Sequence, residues 1–255
     1  MQEEKHITAS IVVYKEDPAQ LQKIIDAFLE HPSSRKIYIV DNSPTAFLKE
    51  KIYGNRMVYL FSGSNLGFGK GHNTIIDRIK DQSDYHLILN PDIFFRSIIL
   101  EKLIDQLQKD KQLSMVAPKV LYPAEEMQYT ARKFPTILEL FCRFFNLYKI
   151  YTDKKEYKDE EITAPFFPDF IQGCFMLFKT KDFIELKGFD ERYFMYMEDV
   201  DICRKIDLSG KRKLYFPATE IIHSHRKGSS KELRLFCIHI SSIIKYFMKW
   251  GFNSV

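Results

Sequence analysis

The tripeptide Asn90-Pro91-Asp92 places a carboxylate directly after the apolar run YHLIL, residues 85–89. Pro91 cannot donate a hydrogen bond to a β-ladder, so it marks the end of a strand, and the loop beyond a buried strand is a common place for functional side chains. Asp92 is therefore either a turn residue that caps the next segment or a ligand for a divalent cation, which prefers oxygen donors.

Glu198, Asp199 and Asp201 place three carboxylates at a helix start, directly after the apolar and aromatic run RYFMYM. They could simply interact with the helix dipole, but carboxylates that emerge from an apolar wall are also candidates for proton transfer. Asp199 and Asp201 point roughly 200° apart on a helix, so only one can face a site. The helix N-terminus would lower the pKa of Asp199 and the apolar wall would raise it, and the sequence leaves the direction open.

Two further segments could contact a nucleotide. Asp41 follows the apolar run KIYIV, and it either caps the turn formed with Asn42 and Ser43 or accepts a hydrogen bond from a base. Four glycines in the loop GSNLGFGKGHN, residues 63–73, would let the backbone approach a ligand before a helix start that favours phosphate, although a flexible turn fits equally well. Neither a Walker loop nor GxGxxG in the first βα turn occurs, which disfavours a P-loop protein or a dinucleotide fold.

His223 and His225 lie two residues apart near the end of the last apolar segment before the tail. If a strand continues through both residues, their side chains share one face. Lone histidines are mostly structural or surface residues, but a histidine here could complete an oxygen-rich metal site.

Strands that alternate with helices must position these groups. Apolar, β-rich segments predict strands at 7–14, 36–43, 56–62, 85–90 and 113–123. The alternation indicates an α/β fold, a Rossmann-like and mainly parallel sheet with helices on both faces. Such sheets bind ligands at the carboxyl ends of their strands, where Asp41, the glycine loop and Asp92 all fall.

Local signals predict where the helices begin. Asp17 can cap the first helix, with Pro18 at its first position and Gln20 completing a capping box. Ser97 is the expected cap of a helix over 97–110. The second half is less regular, with a strand and short helix near 169–186, a helix that ends before Gly210, and one or two late strands. No linker is visible, so residues 1–230 are treated as one domain.

Composition fits a globular protein with a sizeable core, at 255 residues with 45% hydrophobic and 28% charged residues. The four cysteines form no CxxC pair, which gives no support to a zinc site or a redox dithiol and suits a reducing cytosol. The polar first residues predict no signal peptide, and no run approaches the roughly 18 apolar residues of a spanning helix.

Charge is concentrated in the tail. Residues 226–255 contain six lysine and arginine residues against one glutamate, whereas the net charge of the whole chain is +4, so the body is close to neutral and a nucleic-acid partner is not expected. Residues 231–255 predict a basic amphipathic helix, whose apolar stripe is Leu233, Phe236, Ile240, Ile243, Phe247 and Trp250. The stripe either packs on the domain or a second subunit, or lies on an anionic membrane surface at the inner leaflet.

Eight segments in this order resemble the family 2 glycosyltransferases, especially the bacterial rhamnosyltransferase-like branch. They are SIVVY, IVDNS, SNLGFGKGHN, LILNPD, ARKFPT, QGCFMLFKTKDF, GFDERYFMYMEDVDICRK and HRKGSS, and they cover about residues 7–230. The resemblance implies the GT-A fold, with a nucleotide-sugar-binding half over about 1–123 and an acceptor-binding half over about 124–230. It also implies transfer from a nucleoside diphosphate sugar with inversion at the anomeric carbon, with Mg²⁺ or Mn²⁺ as the cofactor.

The resemblance assigns roles at the positions that match its motifs. Asp199 matches the catalytic base, and Asp92 matches the last carboxylate of the metal-binding motif, whose first carboxylate is here the amide of Asn90. His225 best matches the late metal-side histidine, with His223 as the competitor. The donor would contact Val13, Tyr14, Asp41, Asn65, Gly67, Gly69, Asn73, Asn90 and Asp92. The acceptor would contact Gly173, Cys174 and Glu198.

These inferences predict a cytoplasmic, metal-dependent glycosyltransferase that adds one sugar to a growing cell-surface polysaccharide, with a glycan or a lipid-linked glycan as the acceptor. We expect rhamnose from dTDP-rhamnose as the donor, and a UDP-hexose is the alternative within the class. A nucleotidyltransferase would also need a metal and an α/β nucleotide site but would have no evident use for Asp199. A binding module without catalysis is a further alternative, and the sequence leaves the oligomeric state open.

Overall fold

The computed structural model describes residues 5–30, 34–144, 153–158, 162–224 and 233–251. The strands are β1 Ile7–Val13, β2 Arg35–Asp41, β3 Met57–Phe61, β4 Tyr85–Leu89, β5 Ile93–Phe94, β6 Leu113–Leu121, β7 Met127–Gln128, β8 Ala131–Arg132, β9 Phe170–Ile171, β10 Phe175–Lys179 and β11 Arg212–His223. The helices are α1 Pro18–Leu29, α2 Phe68–Asn73, α3 Ile76–Ile79, α4 Ile99–Lys109, α5 Ile137–Phe144, α6 Thr180–Glu185, α7 Glu198–Leu208 and α8 Leu233–Trp250.

The described strands form one nine-stranded sheet and one two-stranded antiparallel sheet. The large sheet has the order β3-β2-β1-β4-β10-β6-β11-β5, with β7 beside β6, and β8 pairs with β9. Strands β3, β2, β1 and β4 run parallel, as do β6 and β11, while β10 runs antiparallel between β4 and β6. The short strands β5 and β7 are also antiparallel to their neighbours. The predicted mainly parallel sheet is therefore confirmed, with β10 as an antiparallel strand inserted from the second half of the chain.

Helices cover both faces of the sheet, as predicted. On one face, α1 and α4 bury aliphatic side chains such as Leu21 and Leu103 against the strands. On the other face, α6, α7 and α8 contribute Phe183, Ile202 and Phe247 to a second apolar cluster. Burying apolar surface on both sides favours nearly continuous apolar strands, which is the pattern of β1, β2 and β4.

The predicted helix starts are correct only in part. Asp17 caps α1 by accepting a hydrogen bond from the Gln20 backbone N at 2.8 Å. The reciprocal half of the capping box is wrong, because the Gln20 side chain instead donates to the Pro91 carbonyl at 3.3 Å. Ser97 does not cap α4 either, since its hydroxyl accepts a hydrogen bond from the buried Arg35 and that helix has no side-chain cap.

Helix α8 packs through only part of the predicted stripe. Ile243, Phe247 and Trp250 contact the second apolar cluster, whereas Leu233 is 79% exposed. Packing on the domain is thus confirmed for the C-terminal half of the stripe alone. Among the described residues, none of the helices combines the length and hydrophobicity that a membrane crossing requires.

Candidate active site

Three parallel strands end at one edge of the sheet, and an antiparallel strand begins there. Strand β1 pairs in parallel with β2 and β4, so their carboxyl ends meet. Strand β10 runs the other way, and Phe175 at its start pairs with Leu89 at the end of β4. The segment before β10 therefore joins the same edge, where the backbone N of Asn90 donates to the Cys174 carbonyl at 2.9 Å.

Asp92 lies just beyond this edge and is largely buried, with a relative exposure of 9%. Its Oδ1 is 3.1 Å from Nε2 of His223, and Nδ1 of His223 is 3.0 Å from Oε1 of Gln128. Burial opposes the charged imidazolium and is the largest single influence, but Asp92 and Cys174 together outweigh burial and raise the pKa of His223 to about 10. The imidazole is thus oriented between a carboxylate and an amide.

The Asp92–His223 pair offers a carboxylate oxygen to a cation directly, and it offers an imidazole nitrogen once the cation displaces the proton that His223 carries without metal. Because Mg²⁺ takes oxygen ligands almost exclusively, the imidazole favours Mn²⁺. Within the described ranges no group of three or more His, Cys, Asp or Glu side chains converges as a metal centre. The pair therefore fits a cation that takes its remaining ligands from water and a diphosphate. His225, the first-ranked histidine from the sequence, lies outside the described residues.

Asp199 is held by backbone N–H groups at the start of α7. Its Oδ2 accepts a hydrogen bond from the Gly173 N at 3.1 Å, and its Oδ1 accepts one from the Val200 N at 2.8 Å. Burial raises the pKa of Asp199, although these N–H groups act in the opposite direction. The apolar surroundings therefore outweigh the helix terminus. Asp201 turns into a buried cluster with Lys249, which agrees with the predicted divergence of the two carboxylates.

Glu198 is 6% exposed, and its Oε2 has no hydrogen-bond partner among the residues that the structure describes. Burial and then the neighbouring charge of Asp199 raise the pKa of Glu198 to about 8, so the protonated form predominates at neutral pH. The two residues before it, Tyr196 and Met197, have left-handed φ angles of 70° and 68°. Such angles are costly for residues other than glycine and concentrate at functional sites.

The dipeptide Gly173-Cys174 connects the two candidate carboxylates. The Gly173 N–H binds Asp199, and the Cys174 carbonyl binds the N–H of Asn90, two residues before Asp92. A Cβ on Gly173 would lie 3.4 Å from the Cβ of Asp199, so the backbone and the carboxylate are in close contact. The structure therefore brings together residues that are about a hundred positions apart in the sequence.

Asp41 is fully buried, and both of its carboxylate oxygens have partners. Oδ1 accepts a hydrogen bond from the Ser43 N at 2.8 Å, which is the turn predicted from the sequence. Oδ2 accepts one from the Tyr59 hydroxyl at 2.5 Å. Val13 is also buried, whereas Tyr14 is 44% exposed at the end of β1. Asp41 thus holds the predicted turn, and Tyr59 provides a second contact to its carboxylate.

The glycine loop packs against the segment that leads into α7. Gly67 has a φ of 82°, and a Cβ there would lie 2.1 Å from the Phe194 carbonyl oxygen. The same oxygen accepts a hydrogen bond from the Phe68 N at 2.9 Å. The exposed Asn65 accepts one from the Gly67 N at 3.0 Å. Close approach of two chain segments therefore requires glycine at position 67.

Asn73 and Gly69 make a second contact with the same segment. The Asn73 side chain exchanges two hydrogen bonds with the Phe189 backbone, at 2.8 and 2.9 Å. A Cβ on Gly69 would lie 2.8 Å from the Cβ of Phe189. These contacts attach the glycine loop to the segment that leads into Glu198 and Asp199. A displacement of the loop would therefore also displace that segment.

Sequence reasoning missed two residues of the site. Gln128 orients His223, and Tyr59 binds Asp41. Both belong to strands that lie next to the site only after folding, and neither is part of a motif. Predicting them would have required the pairing of β6 with β7 and of β2 with β3.

Known proteins resemble this chain in sequence. The model of the family described as glycosyl transferase family 2 matches residues 8–184. Rhamnosyltransferase WbbL of Escherichia coli K12 is 28% identical over 236 residues, which cover 90% of this chain and 88% of that protein. The N-acetylglucosaminyl-diphospho-decaprenol L-rhamnosyltransferase of Mycobacterium tuberculosis is 25% identical over 199 residues, which cover 72% of this chain and 64% of that protein.

Solved structures share the fold at low identity. The structure of GalNAc-T7 with UDP, GalNAc and Mn²⁺ superposes with a TM-score of 0.66 at 15% identity, over 87% of this chain and 43% of that chain. The mannosyltransferase PcManGT of Pyrobaculum calidifontis, with GDP-Man and Mn²⁺, superposes with a TM-score of 0.66 at 13% identity, over 100% of this chain and 66% of that chain. Since the family model spans more than half of the sequence, the chain belongs to glycosyl transferase family 2 and is a rhamnosyltransferase-like glycosyltransferase with the GT-A fold.

Proposed function

We propose that this glycosyltransferase inverts the anomeric carbon as it moves rhamnose from dTDP-rhamnose to a hydroxyl of a growing cell-surface polysaccharide. The observation that carries the proposal is the contact of both Asp199 and the Asn90–Asp92 turn with Gly173-Cys174. The choice of sugar is supported by the two rhamnosyltransferase relatives. The name of the mycobacterial relative also supports a lipid-linked glycan as the acceptor.

Asp199 is the proposed general base. In a single displacement, the acceptor oxygen forms a bond to the anomeric carbon while the bond from that carbon to the diphosphate oxygen breaks and its electron pair stays with the diphosphate. The acceptor proton moves to Asp199, which must lie on the face opposite the leaving group. Burial raises the pKa of Asp199 and so makes it a stronger base, while the N–H of Gly173 fixes its direction.

Asp92 and His223 are the proposed holders of a divalent cation. When bound, the cation would neutralise the negative charge of the diphosphate leaving group. Gln128 orients His223. The Gln20 side chain donates a hydrogen bond to the carbonyl of Pro91, the residue before Asp92, so each member of the pair has a neighbouring contact that holds it. Mn²⁺ in the two solved structures with the same fold supports this assignment.

We infer that one half of the domain binds the donor and the other half binds the acceptor. Residues up to about 123 hold the donor through Tyr14, the glycine loop and the Asn90–Asp92 turn. Residues from about 124 to 230 hold the acceptor, with Gly173, Cys174 and Glu198 on that side. Because Glu198 is buried and protonated at neutral pH, it donates a hydrogen bond to the acceptor rather than competing for the proton with Asp199.

A thermal-shift screen followed by a transfer assay tests the proposal. Nucleoside diphosphates with Mn²⁺ or Mg²⁺ should stabilise the protein by roughly 2–3 kcal/mol at about 100 times the Kd, and dTDP should give the largest response. Transfer from dTDP-rhamnose to a lipid-linked acceptor should then invert the anomeric configuration, as read by NMR of the product. No stabilisation by any nucleotide would contradict the proposal.

A UDP-hexose is the second candidate donor, since one solved structure with the same fold contains UDP. The same screen separates the two, because a UDP-hexose enzyme would respond to UDP more strongly than to dTDP. A nucleotidyltransferase would retain its activity in Asp199→Asn, whereas sugar transfer would collapse. A catalytically silent binding module would bind nucleotide without transfer from any donor.

A further inference from the structure

Helix α8 has one face that is firmly packed. Ser242 Oγ donates to the Met195 carbonyl at 2.8 Å, and the His239 ring lies 4.5 Å from the Tyr196 ring. Near the other end, Lys249 Nζ binds Asp201 at 2.7 Å. These contacts fix the rotation of α8 against the segment that leads into Glu198 and Asp199, and they determine which of its side chains face outward.

The opposite face of α8 is apolar and exposed. Leu233, Ile244 and Met248 have relative exposures of 79%, 54% and 75%. Next to them, a groove of about 560 Å³ runs between α8 and Phe194, and its lining includes Cys237 and Ile238. Large apolar side chains at three positions of one helix face, beside an apolar groove, are more than the scattered exposure that soluble surfaces normally show.

Charge indicates what covers this face. Helix α8 contains no aspartate or glutamate, and its Arg234 and Lys245 line the groove beside this face, whereas Lys249 is paired with Asp190 and Asp201 on the packed side. Residues 226–255 as a whole contain six lysine and arginine residues against one glutamate. In a two-fold dimer the same patch would meet itself, so these like charges would be brought together. An anionic lipid surface complements both the charge and the apolar side chains.

We propose that the outer face of α8, defined by Leu233, Arg234, Cys237, Ile244 and Met248, docks on an anionic lipid bilayer. The helix would lie in the interface with its apolar side chains below the headgroups, as basic amphipathic helices do. The docking face is connected to the site, because Phe194 lines the groove and its carbonyl binds the Phe68 N at 2.9 Å, beside the glycine loop. Docking on a membrane would therefore place the glycosyltransferase site next to the headgroups, where a lipid-linked acceptor presents its hydroxyl.

Vesicle co-sedimentation of the full chain tests the docking face directly. We expect binding to vesicles of phosphatidylcholine with phosphatidylglycerol, weaker binding to phosphatidylcholine alone, and loss of the difference at about 1 M salt, where charges are screened within about 3 Å. The triple variant Leu233→Ser, Ile244→Ser, Met248→Ser should bind anionic vesicles at least about tenfold more weakly. Its matched control, Leu208→Ser with Tyr53→Ser, changes side chains of 75% and 72% exposure elsewhere and should bind like the wild type.

A polarity-sensitive fluorophore gives a second measurement that needs no apolar substitution. Cys237 is exposed while Cys174 and Cys203 are buried, so in a Cys142→Ser background the label reports position 237. Its emission should shift to the blue with anionic vesicles and not with neutral ones.

Equal vesicle binding by the triple variant, or no shift of the label, would overturn the proposal. A dimer that the triple variant dissociates, without vesicle binding by the wild type, would assign the face to a second copy instead. None of these readouts uses a nucleotide sugar, so failure of the docking face and failure of the proposed activity are distinguishable.

Discussion

The backbone N–H of Gly173 donates a hydrogen bond to Oδ2 of Asp199 at 3.1 Å, and this contact joins the acid-rich start of α7 to the edge of the sheet. The next residue, Cys174, accepts a hydrogen bond from Asn90 in the turn that contains Asp92. Asp199 is thus directed toward the place where three strands end and a diphosphate sugar would lie. The position of its carboxylate, and not the number of acidic residues near it, is what makes Asp199 the candidate base.

Asp199→Asn should therefore lower the rate of sugar transfer by about 10²–10⁴-fold, because an amide cannot take the acceptor proton. The carboxamide oxygen can still accept one of the two backbone hydrogen bonds, so most of the stability and the metal-dependent nucleotide binding should be retained. Initial rates with saturating donor, together with thermal shifts, measure both quantities. Asp77→Asn, a change at an exposed carboxylate on α3, is the control and should leave the transfer rate and the thermal shift unchanged. Normal transfer by Asp199→Asn would assign the base to another group.

Asp92→Asn should weaken the stabilisation that a nucleoside diphosphate gives in the presence of Mn²⁺, and it should have little effect on any response without metal. Gln128→Leu removes the group that orients His223, and such outer contacts are typically worth about 10–100-fold in metal affinity. Titration of Mn²⁺ at fixed nucleotide, followed by thermal shift, measures the affinity. If Asp92→Asn bound Mn²⁺ as tightly as the wild type, the metal would have to be placed elsewhere.

Glu198 should make stability fall as the pH rises. Its folded-state pKa is raised to about 8, mainly by burial, above the ordinary glutamate value of 4.5. Between those values the unfolded chain has lost the proton while the folded chain still holds it, so unfolding becomes easier with each pH step, by at most about 1.4 kcal/mol per unit. Below this window both states are protonated and the contribution of Glu198 is constant.

Glu198→Gln removes the titration, so its stability relative to the wild type should increase from about pH 5 to pH 8. Urea denaturation at several pH values gives the difference. Glu126→Gln, at an exposed carboxylate, is the comparison. Parallel pH profiles for wild type and Glu198→Gln would mean that Glu198 is ionised in the folded protein.

Gly67→Ala and Gly210→Ala form a matched pair that separates backbone strain from steric conflict. Both glycines have left-handed φ angles, 82° and 73°, but a Cβ at position 67 would lie 2.1 Å from the Phe194 oxygen, whereas nothing lies within 4 Å at position 210. Gly210→Ala should cost about 1–2 kcal/mol of unfolding free energy through the backbone alone. Gly67→Ala should cost clearly more and should also reduce transfer, because it pushes the glycine loop away from the segment before α7. Equal losses of unfolding free energy in the two variants would show that the glycine loop can move to accommodate the added Cβ.

The strands and the sheet edge could be predicted from the sequence because they depend on local signals. Apolar runs indicated β1, β2 and β4, and Asp17 and Pro18 marked the start of α1. Contacts between distant segments could not be predicted in this way. The partner of Gln20 is a carbonyl 71 positions away, and the need for glycine at 67 arises from Phe194. Local patterns predict elements, whereas the reasons for individual polar residues lie in the tertiary structure.

The packed face of α8 leads to the last prediction. Asp201 is fully buried, and Lys249 binds it and Asp190 at 2.7 Å each. Burial disfavours the Asp190 carboxylate, but the hydrogen bonds from Lys249 and Arg192 outweigh burial and lower the pKa of Asp190. Lys249→Met should therefore leave the buried Asp201 without its cation and Asp190 with Arg192 alone, and it should cost about 3 kcal/mol.

Because α8 holds the segment before Glu198 in place, Lys249→Met should also lower kcat more than it raises the KM of the donor, and Lys249→Arg should restore most of both losses. The control is Lys181→Met, since Lys181 is 84% exposed and pairs with Glu185 at 3.8 Å across one helical turn, an interaction worth about 0.5 kcal/mol or less. Urea denaturation and steady-state kinetics on the same preparations measure both effects. If Lys249→Met resembled Lys181→Met in stability and in kcat, α8 would not be needed to position the start of α7.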